Sequence, residues 1–313
     1  MLDQLATGFV TTRESMRPGD RMRLLELEMQ ARSVAPAVVE PVAIPDHRTL
    51  PTWPDSMAGI PNLLLRTALF AAVQSKSRRT MLRELVGSLE GTEVRFTGIQ
   101  LDQSDLDVLE ILVHLARRQP MSSLVHVSAN EILKSMGRDE GGEQHNWLKN
   151  AIARLYSGGI EITHQGKNTF FGNLFKGFRD EETQHYVIQF DSALLALYDT
   201  GWTQVDRSIR QALRRKPLAL WLHGWYSSHA SPYPLKVTTL YQLSGSKNPQ
   251  LSSFRRQLRE ALDALLELGF VGAWKIEKSS DTVHVTRSGT ATQQRHLQKK
   301  AIKKEVARRK QLA

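Results

Sequence analysis

Two stretches of this chain carry one order of structural signals in one register, and that repetition constrains the fold more than any other feature. In the first, Val125–Ser128 alternates as a short strand. Ser128-Ala129-Asn130-Glu131 then has the pattern of a capping box, in which a hydroxyl and a carboxylate satisfy amides at a helix start. A short helix follows with Ile132, Leu133 and Met136 inward, ended by Gly137. The polar segment RDEGGE leads into a longer helix from Gln144 to Ser157, with Leu148, Ile152 and Leu155 on one face. Gly158-Gly159 stops it, Ile160-Glu161-Ile162 starts a strand, Gly166-Lys167-Asn168 turns, and Tyr186-Val187-Ile188 is the expected return strand.

The second stretch starts with the strand Leu235-Lys236-Val237 and a second capping box, Thr239-Leu240-Tyr241-Gln242, with Gly245 closing the short helix. Pro249 suits the first helical position after an Asn248 cap. Leu251, Phe254, Leu258, Leu262 and Leu265 form an apolar stripe that ends at Gly269. Phe270-Val271 opens a strand, and Trp274–Ile276 and Val283–Val285 form a hairpin around Ser279-Ser280-Asp281. Ser128 and Thr239 stand 111 positions apart, as do Glu131 and Gln242, Gly158 and Gly269, Ile160 and Val271, and the upstream Leu109 and Leu220. The register predicts a duplication of helix, strand, helix, helix and two-stranded wing. That is an α+β fold of two tandem winged-helix domains, each with a helix-turn-helix whose second helix enters a major groove.

The flanks differ. Residues 21–32 suit a short helix, and Pro36, Pro41, Pro45, Pro51 and Pro54 then favour extended chain. The last 24 residues hold eight Lys/Arg and one Glu. The expected division is a flexible N-terminal segment and Pro-rich linker over 1–56, winged-helix domains over 57–200 and 201–288, and a basic C-terminal tail over 289–313.

A net charge of +10 fits a polyanion partner. In the second unit, Lys247, Arg255, Arg256 and Arg259 lie at the start and outer face of the long helix, where arginine can bond guanine O6 and N7. The same residues also suit a solvated face, with Arg255 and Arg259 pairing to Glu260 or Asp263. In the first unit the equivalent set is Gln144, His145, Asn146, Lys149, Asn150 and Arg154, which suits adenine and phosphate, plain solvent or a protein contact. Lys275 and Lys278 on the second wing and Lys167 on the first are candidate phosphate contacts. Arg207, Arg210, Arg214, Arg215 and Lys216 form either a strip along the backbone or an exposed linker helix. The tail is either a non-specific tether or a solubilising segment.

Chemistry-bearing patterns are scarce. There is no cysteine, no phosphate-binding G-x-x-x-x-G-K-[ST] loop and no H-E-x-x-H. His223 and His229 bracket Trp225 and Tyr226 and are expected at the edge of a core, with Trp221, Leu222 and Trp225 inside it. A nicking enzyme using Tyr226 or Tyr233 would need a His-hydrophobic-His pair that the chain lacks. The expectation is a protein without catalysis, cofactor or metal. No apolar run reaches 18 residues and the N-terminus lacks an export pattern, so membrane insertion is not expected and a cytoplasmic location is.

Several stretches resemble the TrfA-type plasmid replication initiators: Trp53–Met57 (WPDSM), Arg66–Phe70 (RTALF), Phe96–Leu101 (FTGIQL), Arg255–Gly269 and above all Ser227–Ser246 (SSHASPYPLKVTTLYQLSGS). The resemblance implies two winged-helix domains that bind repeated origin sequences, or iterons, in double-stranded DNA and melt the adjacent duplex. It also implies host DnaA and DnaB helicase as partners, a monomer–dimer balance, and Pro249–Leu268 as the main reading helix. The chain departs from the family before Trp53. There AIPDHRTLPTWPD replaces a sliding-clamp motif beginning with glutamine, and Gln4–Phe9 is only a loose substitute. A transcription regulator of the same architecture, a rolling-circle nicking enzyme and a partner-binding protein of incidental charge are the alternatives.

Overall fold

In the computed structural model the described residues run from 50 to 302, save positions 75, 77, 90, 118–123, 181, 184, 288, 290–292, 296, 300 and 301. They belong to one compact unit. The expected helix over 21–32, Pro36, Pro41, Pro45, the Gln4–Phe9 segment and most of the basic tail lie outside the described residues. The linker expected to reach residue 56 gives way sooner. Leu50 and Trp53 are buried, and the indole stacks on Tyr198 and donates to His114 Nδ1 at 3.3 Å.

Strand β1 (Met57–Pro61) leads to α1 (Asn62–Arg66) and β2 (Phe70–Ala71). The antiparallel pair β3 (Thr80–Leu89) and β4 (Thr92–Ile99) precedes β5 (Leu101–Asp102), which runs parallel to β2. Next come α2 (Gln103–Ala116), β6 (Val125–Ser128), α3 (Ala129–Ser135), α4 (Gly142–Ser157), β7 (Gly159–His164), β8 (Asn168–Gly172), β9 (Phe175–Arg179) and β10 (His185–Phe190). Helix α5 (Ser192–Asp199) and β11 (Trp202–Asp206) follow, and β11 pairs back onto β1. Helices α6 (Arg207–Ala212) and α7 (Pro217–Ser227) lead to β12 (Leu235–Lys236), α8 (Val237–Leu243), α9 (Leu251–Glu267), β13 (Ala273–Glu277) and β14 (Thr282–Thr286).

The two units match in strand order, since β6-β10-β9 and β12-β14-β13 are both antiparallel three-stranded sheets behind a helix pair. The expected register does not hold. Ala129 and Val237 begin the short helices 108 positions apart, whereas buried Leu148, Ala151, Ile152 and Leu155 correspond to Leu258, Ala261, Leu262 and Leu265 at 110. Thr239 therefore lies inside α8, and the second capping box does not form; Lys236 precedes the helix without a side-chain cap. In the first unit Ser128 Oγ accepts from the Glu131 N–H at 3.1 Å, which is half of the expected box. Helix α9 starts at Leu251 rather than Pro249, and the Asn248 carbonyl accepts from the Tyr241 hydroxyl instead of opening the helix. Gly137 and Gly245 close the short helices at φ +60 and +63, a region that glycine enters without strain. A Cβ at Gly245 would also meet Ala68 and Ala71 at 2.9 and 3.0 Å.

The first hairpin departs most. Tyr186–Ile188, expected to return against Ile160–Ile162, pairs with β6 and β9, and the partner of β7 is β8. The β7–β8 hairpin is an insertion that extends the β3–β4 ribbon into a four-stranded sheet. There Phe96 faces Ile160 and Val94 faces Ile162, apolar cross-strand pairs that fix the register.

One hydrophobic cluster draws on residues between Leu50 and Val205, another on residues between Leu213 and Val283. Helix α7 is buried from Leu218 to Ser227, as an all-round apolar helix must be. Trp221, Leu222 and Trp225 lie in that second core as expected, but His223 is fully buried rather than at its edge. It packs edge-on against Phe270 at 4.4 Å, and burial holds its pKa well below the ordinary value.

Helix α2 anchors both clusters through its acids. Asp102 caps it, accepting from the Ser104 N–H at 2.8 Å, and Asp105 closes a capping box onto the Asp102 N–H at 3.0 Å. Asp105 has no exposed side-chain area and also receives Arg154 of α4 at 2.7 Å and Arg78 at 3.1 Å. From α6, Arg210 bonds Asp107 at 2.6 Å and Arg207 bonds Glu110 at 2.6 Å, while Arg214 donates to the Gly137 carbonyl at 2.8 Å. So Arg207 and Arg210 point inward, neither lining a DNA strip nor standing on an exposed linker, while Arg214 is half-buried. Arg215 and Lys216 stay exposed.

Burial pushes the Glu110 carboxyl up to about 7, against the pull of Arg207. Between the unfolded value near 4.5 and that folded value, the native state holds a proton that the unfolded chain has released. Stability therefore falls as pH rises through that window, by at most about 1.4 kcal/mol per unit from this one group. Urea unfolding at pH 5 and 7.5 is expected to show a smaller difference for Glu110→Gln than for the parent chain. Equal differences would remove Glu110 as the cause.

Candidate nucleic-acid interface

Helix α9 presents two faces because its apolar stripe is narrow. Phe254, Leu258, Ala261, Leu262 and Leu265 are buried, while Arg256 and Arg259 are exposed on the outer side and Arg255 is half-buried. The β13–β14 hairpin lies alongside, pinned by the Trp274 indole N–H donating to Asp263 Oδ1 at 3.1 Å. Between helix and hairpin is an open cleft lined by Arg255, Arg259, Trp274, Ile276, Lys278 and Asp281. Three of the expected DNA-contacting cations thus share one concave surface. No carboxylate reaches ion-pair distance of Arg259 or Lys278 among the described residues.

Arg255 does not pair along its helix. It donates from Nε and Nη2 to the two Asp281 oxygens at 2.9 and 2.7 Å, a bidentate bond that holds the Asp281 carboxyl below its ordinary range. Arg256 sits 3.5 Å from Glu260, an exposed pair one turn on. Lys275 is exposed on β13, and Lys278 is exposed at the hairpin tip. Lys247 is exposed in the turn before α9, where partial burial and nearby Arg79 lower its pKa.

The first unit is weaker in charge. On α4, Asn146, Lys149 and Asn150 are exposed, and Gln144 and His145 are half-buried. Gln144 Oε1 accepts from Arg138 at 3.0 Å, and that guanidinium lies 3.7 Å from the Trp147 ring centroid. Arg154 is not on this face; its side chain is 11% exposed and is committed to Asp105. Lys167 sits on the inserted β7–β8 hairpin, so it is not at the tip of the hairpin that corresponds to β13–β14. That position belongs to β9–β10, which exposes Lys176. Phe175 and Phe178 fall on opposite faces of that strand, so no apolar alternation marks it in the sequence.

Among the described residues, no group of three or more His, Asp or Glu side chains is placed to hold a metal ion. No helix there is long and apolar enough to cross a membrane. Tyr226, weighed as a nicking nucleophile, is buried, and burial raises its hydroxyl pKa. Tyr233 is exposed with its ring edge-on to His229.

These features define a mixed α/β protein in which two helix pairs are each followed by an antiparallel hairpin, the second beside a cationic cleft. The chain belongs to the TrfA family, whose description, TrfA protein, matches residues 46–287. Plasmid replication initiator protein TrfA of Escherichia coli is 25% identical over 245 residues, covering 75% of this chain and 63% of that protein's length. Domains 2 and 3 of RctB, as a crystal structure, align at a TM-score of 0.51 with 13% identity, covering 72% of this chain and 98% of that one. At that identity the likeness is one of fold. Two stretches of the family resemblance meet in space, where Arg66 Nε donates to Ser228 Oγ at 2.9 Å.

Proposed function

We propose that this protein initiates plasmid replication. It binds repeated origin sequences in double-stranded DNA, opens the neighbouring duplex and brings in host replication proteins. The observation that carries the reading is the family match over 46–287, which encloses the α9 cleft. Both units act as winged helices. Helix α9 reads bases with Arg255 and Arg259, flanked by Lys247 and Arg256, while Lys275 and Lys278 meet phosphates. Helix α4 adds a second, less basic surface through Gln144, His145, Asn146, Lys149 and Asn150. Arg154 takes no part, and Lys167 contributes only if the DNA reaches the inserted hairpin.

Binding free energy distorts the duplex, with no nucleotide hydrolysis and no covalent step. The protein acts in the cytoplasm, as a monomer in balance with a dimer. DnaA and the DnaB helicase are the partners that the family resemblance implies, and the sliding clamp is left out.

The test is footprinting on DNA flanking the gene at about 150 mM salt with non-specific competitor, because charge alone binds DNA at lower salt. Permanganate is added in the same tube. Protected direct repeats with reactive thymines beside them are the expected result. Protection without thymine reactivity, even when host proteins are added, would favour a regulator. No protected site would overturn the proposal.

A further inference from the structure

Asp281 stands at the tip of the β13–β14 hairpin at φ +52, a conformation uncommon for a residue with a Cβ. Its backbone carbonyl accepts from the N–H of Val237, the first residue of α8, at 2.9 Å. Its carboxylate takes both donors on one edge of Arg255 of α9. One hairpin residue is therefore bonded to both helices of the unit, and it is the only carboxylate among the side chains lining the cleft.

A guanidinium is a planar fork with more than one two-donor edge. Asp281 occupies the Nε–Nη2 edge of Arg255, and the Nη1–Nη2 end edge is left over. Two parallel N–H groups on such an edge match guanine O6 and N7. A long side chain that is already held loses less freedom on binding than a mobile one.

We infer that Asp281 is a positioning residue for base readout, holding Arg255 so that its free end edge meets a guanine in the major groove. This rests on the reading of α9 as the base-reading helix.

The full-length chain is used for the test, with duplexes carrying one footprinted repeat and each single base-pair substitution of it. The variants are Asp281→Asn, Arg255→Ala and the double variant. Asparagine tolerates the positive φ, so the hairpin turn is kept. Asp281→Asn is expected to lose about 5- to 20-fold of discrimination at the one base pair that Arg255→Ala relaxes. Affinity for unrelated DNA is expected to hold or rise, because a negative charge has gone, and the double variant relaxes that position no further than Arg255→Ala alone. A purely structural strap would instead weaken all duplexes alike and lower the melting temperature. That outcome, or unchanged discrimination in Asp281→Asn while Arg255→Ala relaxes one position, overturns the inference and leaves the reading of α9 standing. Unchanged preference in Arg255→Ala overturns both.

Discussion

Replacing Asp105 with alanine is expected to lower the unfolding free energy by about 3–5 kcal/mol, because it takes the carboxylate from the buried Arg154 guanidinium and leaves Arg78 with Asp102 alone. Arg154 keeps only 11% of its side-chain area exposed, so water cannot take over from the carboxylate. The same substitution removes half of the capping box of α2. Arg154→Met is the informative companion. It removes one charge and leaves Asp105 with Arg78, at a volume close to the original, so its loss is expected to be much smaller. Urea midpoints for the two variants settle the order, provided that m stays constant. A loss below about 1 kcal/mol in Asp105→Ala would mean that the network contributes little. Arg154→Met is further expected to leave the salt dependence of DNA binding unchanged, since that side chain does not face the α4 surface.

On the DNA side, the largest expected effect belongs to Arg255→Ala combined with Arg259→Ala. Each good bidentate arginine–guanine contact discriminates by about 1–3 kcal/mol, so losing two lowers the preference for the cognate repeat by about 30-fold or more. Competition binding against base-substituted duplexes measures it. Arg256→Ala is the control. Its pair with Glu260 is exposed on both sides, with side-chain exposures of 71% and 62%, and its removal is expected to leave base preference where it was. An unchanged preference in the double variant would move base reading away from the α9 cleft.

Local periodicity placed the long-helix stripe and the hairpin of the second unit, though not the first residues of its two helices. The stripe from Phe254 to Leu265 and the hairpin around Asp281 both stand where alternation and turn residues put them. Side-chain partners were missed where they lie far along the chain. Arg154 resembles any other helix-face arginine until Asp105, 49 positions earlier, is placed beneath it. Arg255 has no carboxylate three or four positions on along its helix, and its partner is Asp281 at the hairpin tip, 26 positions later. Ile160–Ile162 has two possible neighbours by pattern alone, and the apolar face of β4 decides between them. Arg207 and Arg210 needed the acids of α2, about 100 positions earlier, before their inward orientation made sense. The constant 111-residue offset failed for a simpler reason. Turns tolerate insertions of a few residues that leave each helix face unchanged, so similarity survives in buried positions and not in numbering.

The pairing of β1 with β11 has a consequence for how the chain is made. Met57 through Pro61 leave the ribosome about 145 residues ahead of Trp202 through Asp206, the strand that satisfies their backbone groups. At bacterial-scale synthesis rates of roughly 5–20 residues per second, that interval lasts on the order of ten seconds. Over it the Trp53 indole also lacks Tyr198, its stacking partner. The nascent first unit must wait with an open strand edge and an aromatic ring covered on one side only. During that window an unpaired edge of this kind is open to misassembly and to capture by chaperones.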